Sequence, residues 1–535
     1  MNAYLTVIYV VCGIYMALNL KHDIHMLQQN SYRLPRYWKY LKGGDLGSAW
    51  RLVDVAMLFL VSSTLLDVRL SLLIVAIVCV AKVWMIARKK FKKPLVFTKR
   101  VWRIYSVAAV FSIGSYLAVA VSNGIRDGIW GMYSGPGLTI AFLLLLCIFS
   151  WAVVMLSVVI LIPVERMINR KYWNEAAAIL KSMPDLTVVG VTGSYGKTST
   201  KHYLERILSE RFDVIMTPGS YNTPMGVIRT VREMMKPYNT IFICEMGAKQ
   251  KGDIKEICDL VNPKIGIVTA VGPMHLESFK TMENVQSTKF ELVDALPSDG
   301  YAVVNNDFEY CANRSVDNVE CARYCVGSKE AEESSYVADD VNYTPQGTTF
   351  KVKGPDGFSL SLSTKLVGAC NISNLLAAVI VALRFGMNGD EIKRGVAGIE
   401  QVEHRLSIKQ TPGGVTIIDD AFNSNPSGSK MALEVLSGFR DGKRIIVTPG
   451  MIELGEKQAE LNEALGEEIA RNADVAIVVG QYNHDAIVAG IKKGGFKEDD
   501  LYEVGSFAEA QQVLSGILKT GDTVLYENDL PDTFK

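Results

Sequence analysis

The stretch "GVTGSYGKTST", Gly190 to Thr200, decides how the chain beyond residue 185 folds. It follows a strand-like run, "LTVV", and precedes a helix-like run, "KHYLERILSE". A glycine-bearing turn between strand and helix presents backbone N–H groups, and the positive end of the helix dipole, to an anion. Gly193 and Gly196 permit the tight backbone, with Ser194, Tyr195 and Ser199 completing the loop. Lys197 can reach the β- and γ-phosphates of a nucleotide, and the Thr198 hydroxyl can bind Mg²⁺. The spacing departs from the common phosphate loop, because Val191 stands where its first glycine is usual and Gly190 lies one residue earlier. The strand–GxxGKTS–helix context nonetheless reads as nucleotide binding.

Upstream of this loop the character changes. The chain has 535 residues, enough for several domains. Its 56 Lys and Arg balance 56 Asp and Glu, so net charge gives no reason to expect nucleic acid. Mean hydropathy is +0.17, and the apolar excess lies before residue 165. A membrane-spanning helix needs about 20 largely apolar residues. Five runs qualify or nearly so: Met1–Leu20, Leu52–Leu66 with Asp54 near one end, Leu70–Ile86, Ile104–Val121 and Leu138–Pro163. Lys82 falls near an end of the third run, where it can snorkel. No acid–base series that would suggest an ion relay is evident in the runs, so they read as an anchor.

Charge orients them. Lys21, Arg33, Arg36, Lys39 and Lys42 follow the first run. Arg88, Lys89, Lys90, Lys92, Lys93, Lys99 and Arg100 follow the third, and Arg166, Arg170 and Lys171 follow the fifth. The intervening loops are nearly free of net charge. The expectation is a multi-pass protein of the inner or plasma membrane, N-terminus outside, with everything after residue 165 in the cytoplasm. Nine scattered cysteines agree with a reducing compartment. Cys311, Cys321 and Cys325 do not make a zinc site, for want of a fourth thiolate and of any CxxC pair.

Four segments follow. Residues 1–164 form a five-span helical membrane domain, and 165–185 an amphipathic linker. Residues 186–403 alternate strands such as "TIFICEMG" and "KIGIVTAVG" with helices, which argues an α/β domain with a mostly parallel P-loop-type sheet. Within it, "TTFKVKGPDGFSLSLSTKL" alternates like an antiparallel hairpin, and "NISNLLAAVIVALRF" reads as a buried helix. Residues 404–535 form a second, Rossmann-like α/β domain with strands "VTIIDD", "RIIVTPG", "VAIVVG" and "TVLYEN".

Glu245 ends the strand "IFICE", where open α/β sheets place ligand-binding groups. Pumps and motor ATPases usually carry Asp there, and no ABC-type signature segment is present. Both points weaken a transporter reading. His275 follows the strand "IGIVTA" in the same way, beside Glu245 and Thr198 at predicted strand ends, which suggests a metal role.

The motifs "VTGSYGKTST", "CEMGA", "VTAVGPMHLESF", "STKFEL", "GACNISNLLAA", "EHRL" and "DDAFNSNP" occur in order. Together they resemble the Mur ligases, closest to the D-alanyl-D-alanine-adding (MurF-type) branch, over residues 186–535. The resemblance implies an ATP-dependent ligase. ATP phosphorylates a carboxylate, an amine attacks the acyl phosphate, and an amide forms. It implies catalytic roles for Lys197, Glu245, His275 and Lys289, and two Mg²⁺ ions held by Thr198, Glu245, His275 and Lys289. Lys289, in "STKFEL", matches a lysine that is carbamylated in the family, which would turn a cation into an anionic ligand. Asn371 and Asn374 match residues near the adenine, Arg405 a phosphate-binding arginine and Asp420 a ribose-binding acid. Asn222, Thr223, Asn423 and Asn425 are candidate contacts to the acceptor.

Departures from the family point to the substrate. Its soluble UDP-gripping N-terminal domain is replaced by the membrane block. Cys370 stands where His is usual. "TPGMIELG" replaces "LGDMLELG", putting Pro449 and Gly450 in place of Gly-Asp, and Asn462 falls where His is common. The chain ends "VLYENDLPDTFK" instead of carrying a Lys-Gly-Ser segment. The expectation is a membrane-anchored amide ligase in cell-envelope or peptidoglycan precursor synthesis. Its partners would be the lipid bilayer, a lipid-linked or membrane-proximal carboxylate, and an amino acid or dipeptide acceptor. The alternatives are a poly-γ-glutamate-type polymer synthetase and an inactive membrane scaffold for cell-wall enzymes.

Overall fold

The structure, a computed structural model, describes residues 3–62, 67–89, 91, 94–130, 135–327, 334–344, 347–421 and 424–529. Asn423, Lys90, Lys92 and Lys93 lie outside these residues. The chain divides into a helical unit up to Ile168 and an α/β unit from Asn169.

Among the described residues, four helical segments are long and apolar enough to cross a membrane: Leu5–Gln29, Arg69–Arg88, Lys99–Ser122 and Ser150–Lys181, with mean hydropathies of 1.4, 2.5, 1.9 and 2.0. Two of the five expected spans come out differently. The described part of Leu52–Leu66 belongs to the helix Ala49–Ser62, described over 14 residues, and is not among the four. The Leu138–Pro163 run breaks at Phe149 into the helices Gly135–Ile148 and Ser150–Lys181. A side chain from another helix reaches the backbone at this break. Arg51 Nη1 donates to the Ile148 carbonyl at 3.3 Å, and the Ser150 hydroxyl donates to the Asp23 side chain. The helix from Ser150 continues through Pro163 to Lys181, so the expected linker is its second half rather than a separate element.

The unit's interior also corrects the sequence reading. Lys82 does not snorkel but is 2% exposed, with its Nζ 2.6 Å from Oδ1 of the fully buried Asp54. Tyr15 donates to both Asp54 oxygens at 2.9 Å, and Lys82 also donates to the Trp50 carbonyl at 2.7 Å. A second group joins Arg51 to Asp23 and Asp45, each at 2.8 Å. Buried charge is therefore present among these helices, fully paired. Their outward faces carry apolar residues such as Phe59, Ile77, Trp102 and Val110.

The α/β unit holds two sheets. The first comprises β1 Thr187–Thr192, β2 Val214–Met216, β3 Ile241–Glu245, β4 Ile265–Val268, β5 Tyr301–Asn305, β6 Glu320–Val326, β7 Tyr336–Thr344, β8 Gly347–Lys353 and β9 Ser359–Thr364. Their order is β2-β3-β1-β4-β5-β6-β7-β8-β9. Pairing is parallel as far as β7 and antiparallel through β8 and β9, as the alternation in "TTFKVKGPDGFSLSLSTKL" anticipates. β1, β3 and β4 are buried on both faces, which explains their unbroken apolar runs. The helix Ala369–Arg384 is buried over most of its length, as its composition requires.

The second sheet comprises β10 Ser407–Gln410, β11 Thr416–Asp420, β12 Arg444–Thr448, β13 Val475–Val479, β14 Leu501–Val504 and β15 Thr523–Glu527, ordered β10-β11-β15-β12-β13-β14. Only β10 runs antiparallel. β1, β3 and β4 place their C-terminal ends side by side, so the phosphate loop, Glu245 and the loop carrying His275 emerge at one sheet edge.

Candidate active site

The phosphate loop joins β1 to the helix Lys197–Leu208. Gly193, at φ 151°, has no room for a side chain, since a Cβ would lie 2.1 Å from the Thr269 hydroxyl. Gly196, at φ 78°, meets the Asn374 amide in the same way, so Asn374 is pressed against the loop. Ser194 ties the loop to the segment after β4, donating to the Gly272 carbonyl at 3.1 Å. Tyr195, where the family commonly has asparagine or a small residue, spans the same gap and donates to the Pro273 carbonyl at 3.0 Å. Ser199 is buried in the first turn of the helix.

Lys197 folds back over its own loop and donates to the Gly193 carbonyl at 2.7 Å. Burial pushes its ammonium down to about 8, with Glu245 opposing the shift and Arg405 adding to it.

Glu245 is the centre of the site and is 1% exposed. Its Oε1 accepts from the Thr198 hydroxyl and the Asn222 amide, both at 3.1 Å. Its Oε2 is in a buried ion pair with Lys201 Nζ at 3.0 Å. Burial alone would raise this carboxyl; Lys201 and Lys197 outweigh it and hold it below the usual range. A buried, ionised carboxylate beside a threonine hydroxyl is a fitting ligand pair for Mg²⁺.

His275 sits at φ 53° at the start of a short helix, Leu276–Phe279. Burial lowers its pKa, although Glu453 pulls the other way. A neutral imidazole suits metal ligation. Lys289 is 2% exposed over the Phe279 ring, and burial together with Lys197 pushes its ammonium down to about 7. That makes the amine available to react with CO₂.

The helix Ala369–Arg384 and the start of the last domain supply the rest. Asn371 accepts from Tyr203 at 2.8 Å and donates to the Val367 carbonyl at 2.8 Å, a structural pair of bonds. Arg405 lines a cleft of about 730 Å³ with Thr198, His202, Ser220 and Gln401. Asp420 accepts from the Leu406 N–H at 3.0 Å, and burial raises its pKa. It pairs in register with Glu527 across β11 and β15, and burial and Asp420 push Glu527 upward as well. Of the candidate acceptor contacts, Asn222 reaches the site through Glu245. Thr223 and Asn425 instead cap the helices Pro224–Glu233 and Pro426–Ser437, accepting from Gly226 and Gly428.

Two family models match the α/β unit: the Mur ligase middle domain over residues 191–382, and the Mur ligase glutamate ligase domain over residues 404–526. The UDP-N-acetylmuramoyl-tripeptide–D-alanyl-D-alanine ligase of Escherichia coli is 31% identical over 318 residues, covering 59% of this chain and 69% of that one. This chain belongs to the Mur ligase family. The corresponding Bacillus subtilis enzyme is 28% identical over 347 residues, covering 64% of this chain and 72% of its own. The crystal structure of MurF ligase from Thermotoga maritima in complex with ADP superposes with a TM-score of 0.60 at 27% identity, covering 68% and 80% of the two chains. As a Mur ligase, the protein is an ATP-dependent enzyme that forms C–N bonds.

Sequence reasoning missed two residues. Lys201 lies one helical turn after Lys197, immediately after the quoted motif, and its i+4 spacing was the available signal. Glu453, in "MIELG", had no local signal; only the folded chain brings it to His275, whose Nδ1 it contacts.

Proposed function

We propose that this Mur ligase is anchored in a membrane and joins an amino acid or dipeptide amine to a carboxylate presented at the bilayer surface, in the synthesis of a cell-envelope precursor. The observation that carries the proposal is the set of four long apolar helical segments in the unit preceding the matched middle domain. The branch relatives named above act, by their names, on a UDP-linked muramoyl tripeptide and D-alanyl-D-alanine. A bilayer-held unit suits a donor whose carrier is itself held in the bilayer. The positive loops support an outside N-terminus and a cytoplasmic ligase.

In this reading Lys197 leaves its loop carbonyls to contact the β- and γ-phosphates of ATP. Arg405 approaches the transferring phosphoryl group from the last domain, and Asp420 holds the ribose. Thr198, Glu245, His275 and a carbamylated Lys289 would hold two Mg²⁺ ions, whose positive charge would offset that of the transferring phosphoryl group. Asn222 and Lys201 fix the Glu245 carboxylate, and Lys201 also ties the Gly219 carbonyl at 2.5 Å, linking the phosphate-loop helix to the segment after β2. Closure of the last domain excludes water, which protects the acyl phosphate until the amine attacks.

The test is ADP release by the full-length protein in lipid nanodiscs, offered D-alanyl-D-alanine with either a lipid-linked or a UDP-linked peptide donor. Release with the lipid-linked donor alone supports the proposal. Equal use of the soluble UDP-linked donor removes the lipid requirement.

A further inference from the structure

His275 and Glu453 come from different domains, the first from the segment after β4 and the second from the loop after β12. Glu453 Oε2 contacts His275 Nδ1, and both side chains are 16% exposed. The two backbones meet as well, with the Glu277 N–H donating to the Glu453 carbonyl at 3.4 Å. Lys249 lies 3.8 Å from Oε1 and balances the carboxylate's charge.

Both residues hold left-handed backbone, Glu453 at φ 63° and His275 at φ 53°. Non-glycine residues adopt it at a cost, and it persists where the surroundings over-determine it, commonly at functional sites. Here the surroundings do so. Asn462 is fully buried and grips the Met451 N–H at 2.8 Å and its carbonyl at 3.1 Å. Asn483 donates to the Pro449 carbonyl at 2.9 Å, and Asn528 donates to that of Gly450 at 2.5 Å. Gly455 lies so close to the Leu276–Phe279 helix that a Cβ would stand 3.2 Å from the Glu277 nitrogen. Side-chain amides from three positions thus brace a strained loop whose tip delivers one carboxylate to one imidazole.

A metal-ligating histidine commonly donates its second ring N–H to a carboxylate, which fixes the tautomer and the ring's orientation. We propose that Glu453 is the positioning residue for His275: its carboxylate accepts the Nδ1 hydrogen and reserves Nε2 for a divalent cation. The carboxylate arrives with the C-terminal domain, so cation binding at His275 is coupled to the docking of that domain. This rests on the metal role of His275 proposed above.

The experiment is a Mn²⁺ titration of the full-length protein in nanodiscs with ADP, read by electron paramagnetic resonance, with ADP affinity measured in parallel as a check on folding. The wild type is expected to bind two Mn²⁺, and His275→Ala to lose one. Glu453→Ala should weaken that same ion by about 10–100-fold. Glu453→Gln, whose amide oxygen still accepts the Nδ1 hydrogen, should weaken it less than Glu453→Ala does. Glu453→Ala with unchanged Mn²⁺ binding, where His275→Ala loses an ion, overturns the proposal alone. His275→Ala with both ions retained overturns it together with the metal role of His275.

Discussion

Two buried ion pairs of the same chemistry sit in the two units. In the helical unit Lys82 meets Asp54 at 2.6 Å; in the α/β unit Lys201 meets Glu245 at 3.0 Å. All four side chains are at most 3% exposed. They differ in what surrounds them. Both Asp54 oxygens accept hydrogen bonds, from Tyr15 and Lys82. Glu245 instead accepts from Thr198, in the first turn of the phosphate-loop helix, and from Asn222. The first pair ties helices to one another, whereas the second holds an ionised carboxylate at the phosphate loop. The first pair is therefore assigned to structure and the second to chemistry.

The largest expected effect falls on the second pair's neighbourhood. Glu245→Gln or Lys197→Ala should lower turnover by about 10³-fold or more, the first by removing an anionic metal ligand and the second by removing positive charge that faces the transferring phosphoryl group. ADP release measures it. Breaking the first pair should act on stability instead. Asp54→Ala should cost about 3–5 kcal/mol in the helical unit by leaving a buried ammonium unpaired. Thermal unfolding in detergent reads this, and turnover per folded molecule should not change. The double change Asp54→Leu with Lys82→Met should recover most of the loss, since a well-packed apolar pair avoids the desolvation cost.

A third effect depends on pH. Carbamylation needs the neutral amine, and Lys289 is held down to about 7 by burial. Its neutral fraction rises with pH through that value, so CO₂-depleted protein should regain activity on adding bicarbonate more fully at pH 8 than at pH 6. The stability sign is consistent: the folded-state pKa lies below the unfolded one. The penalty for a charged Lys289 is therefore complete below about 7 and is relieved as pH rises towards the ordinary lysine range. The smallest effect belongs to Lys201→Met. It removes the ammonium that holds the Glu245 carboxylate ionised and in place, so half-saturating Mg²⁺ should rise severalfold in the same ADP assay.

What the sequence made legible follows from where the information lies. The phosphate loop, Glu245 at the end of β3 and His275 after β4 are each local signals at strand ends, and the parallel sheet converts three separated motifs into one edge. The antiparallel β8–β9 hairpin was equally local. The helical unit was less legible. Hydropathy cannot see that Arg51 bonds the backbone at a helix break at Phe149, nor that Asp54 and Lys82, 28 positions apart, meet. The same limit hid Glu453. The altered "TPGMIELG" stood out in the sequence only as a departure from the family; the residues that brace it, Asn462, Asn483 and Asn528, come from elsewhere in the domain. Thr223 and Asn425 each sit before a proline and cap a helix, a role their sequence context signals equally well.

The central claim is that the ligase acts on a bilayer-held donor. It is tested most directly by mass spectrometry of lipid-linked cell-envelope precursors from cells with the protein and cells lacking it. The account predicts that a single amino-acid or dipeptide increment on the lipid-linked species disappears when the protein is absent. An unchanged lipid-linked pool, with the increment lost from soluble UDP-linked peptide instead, would contradict it.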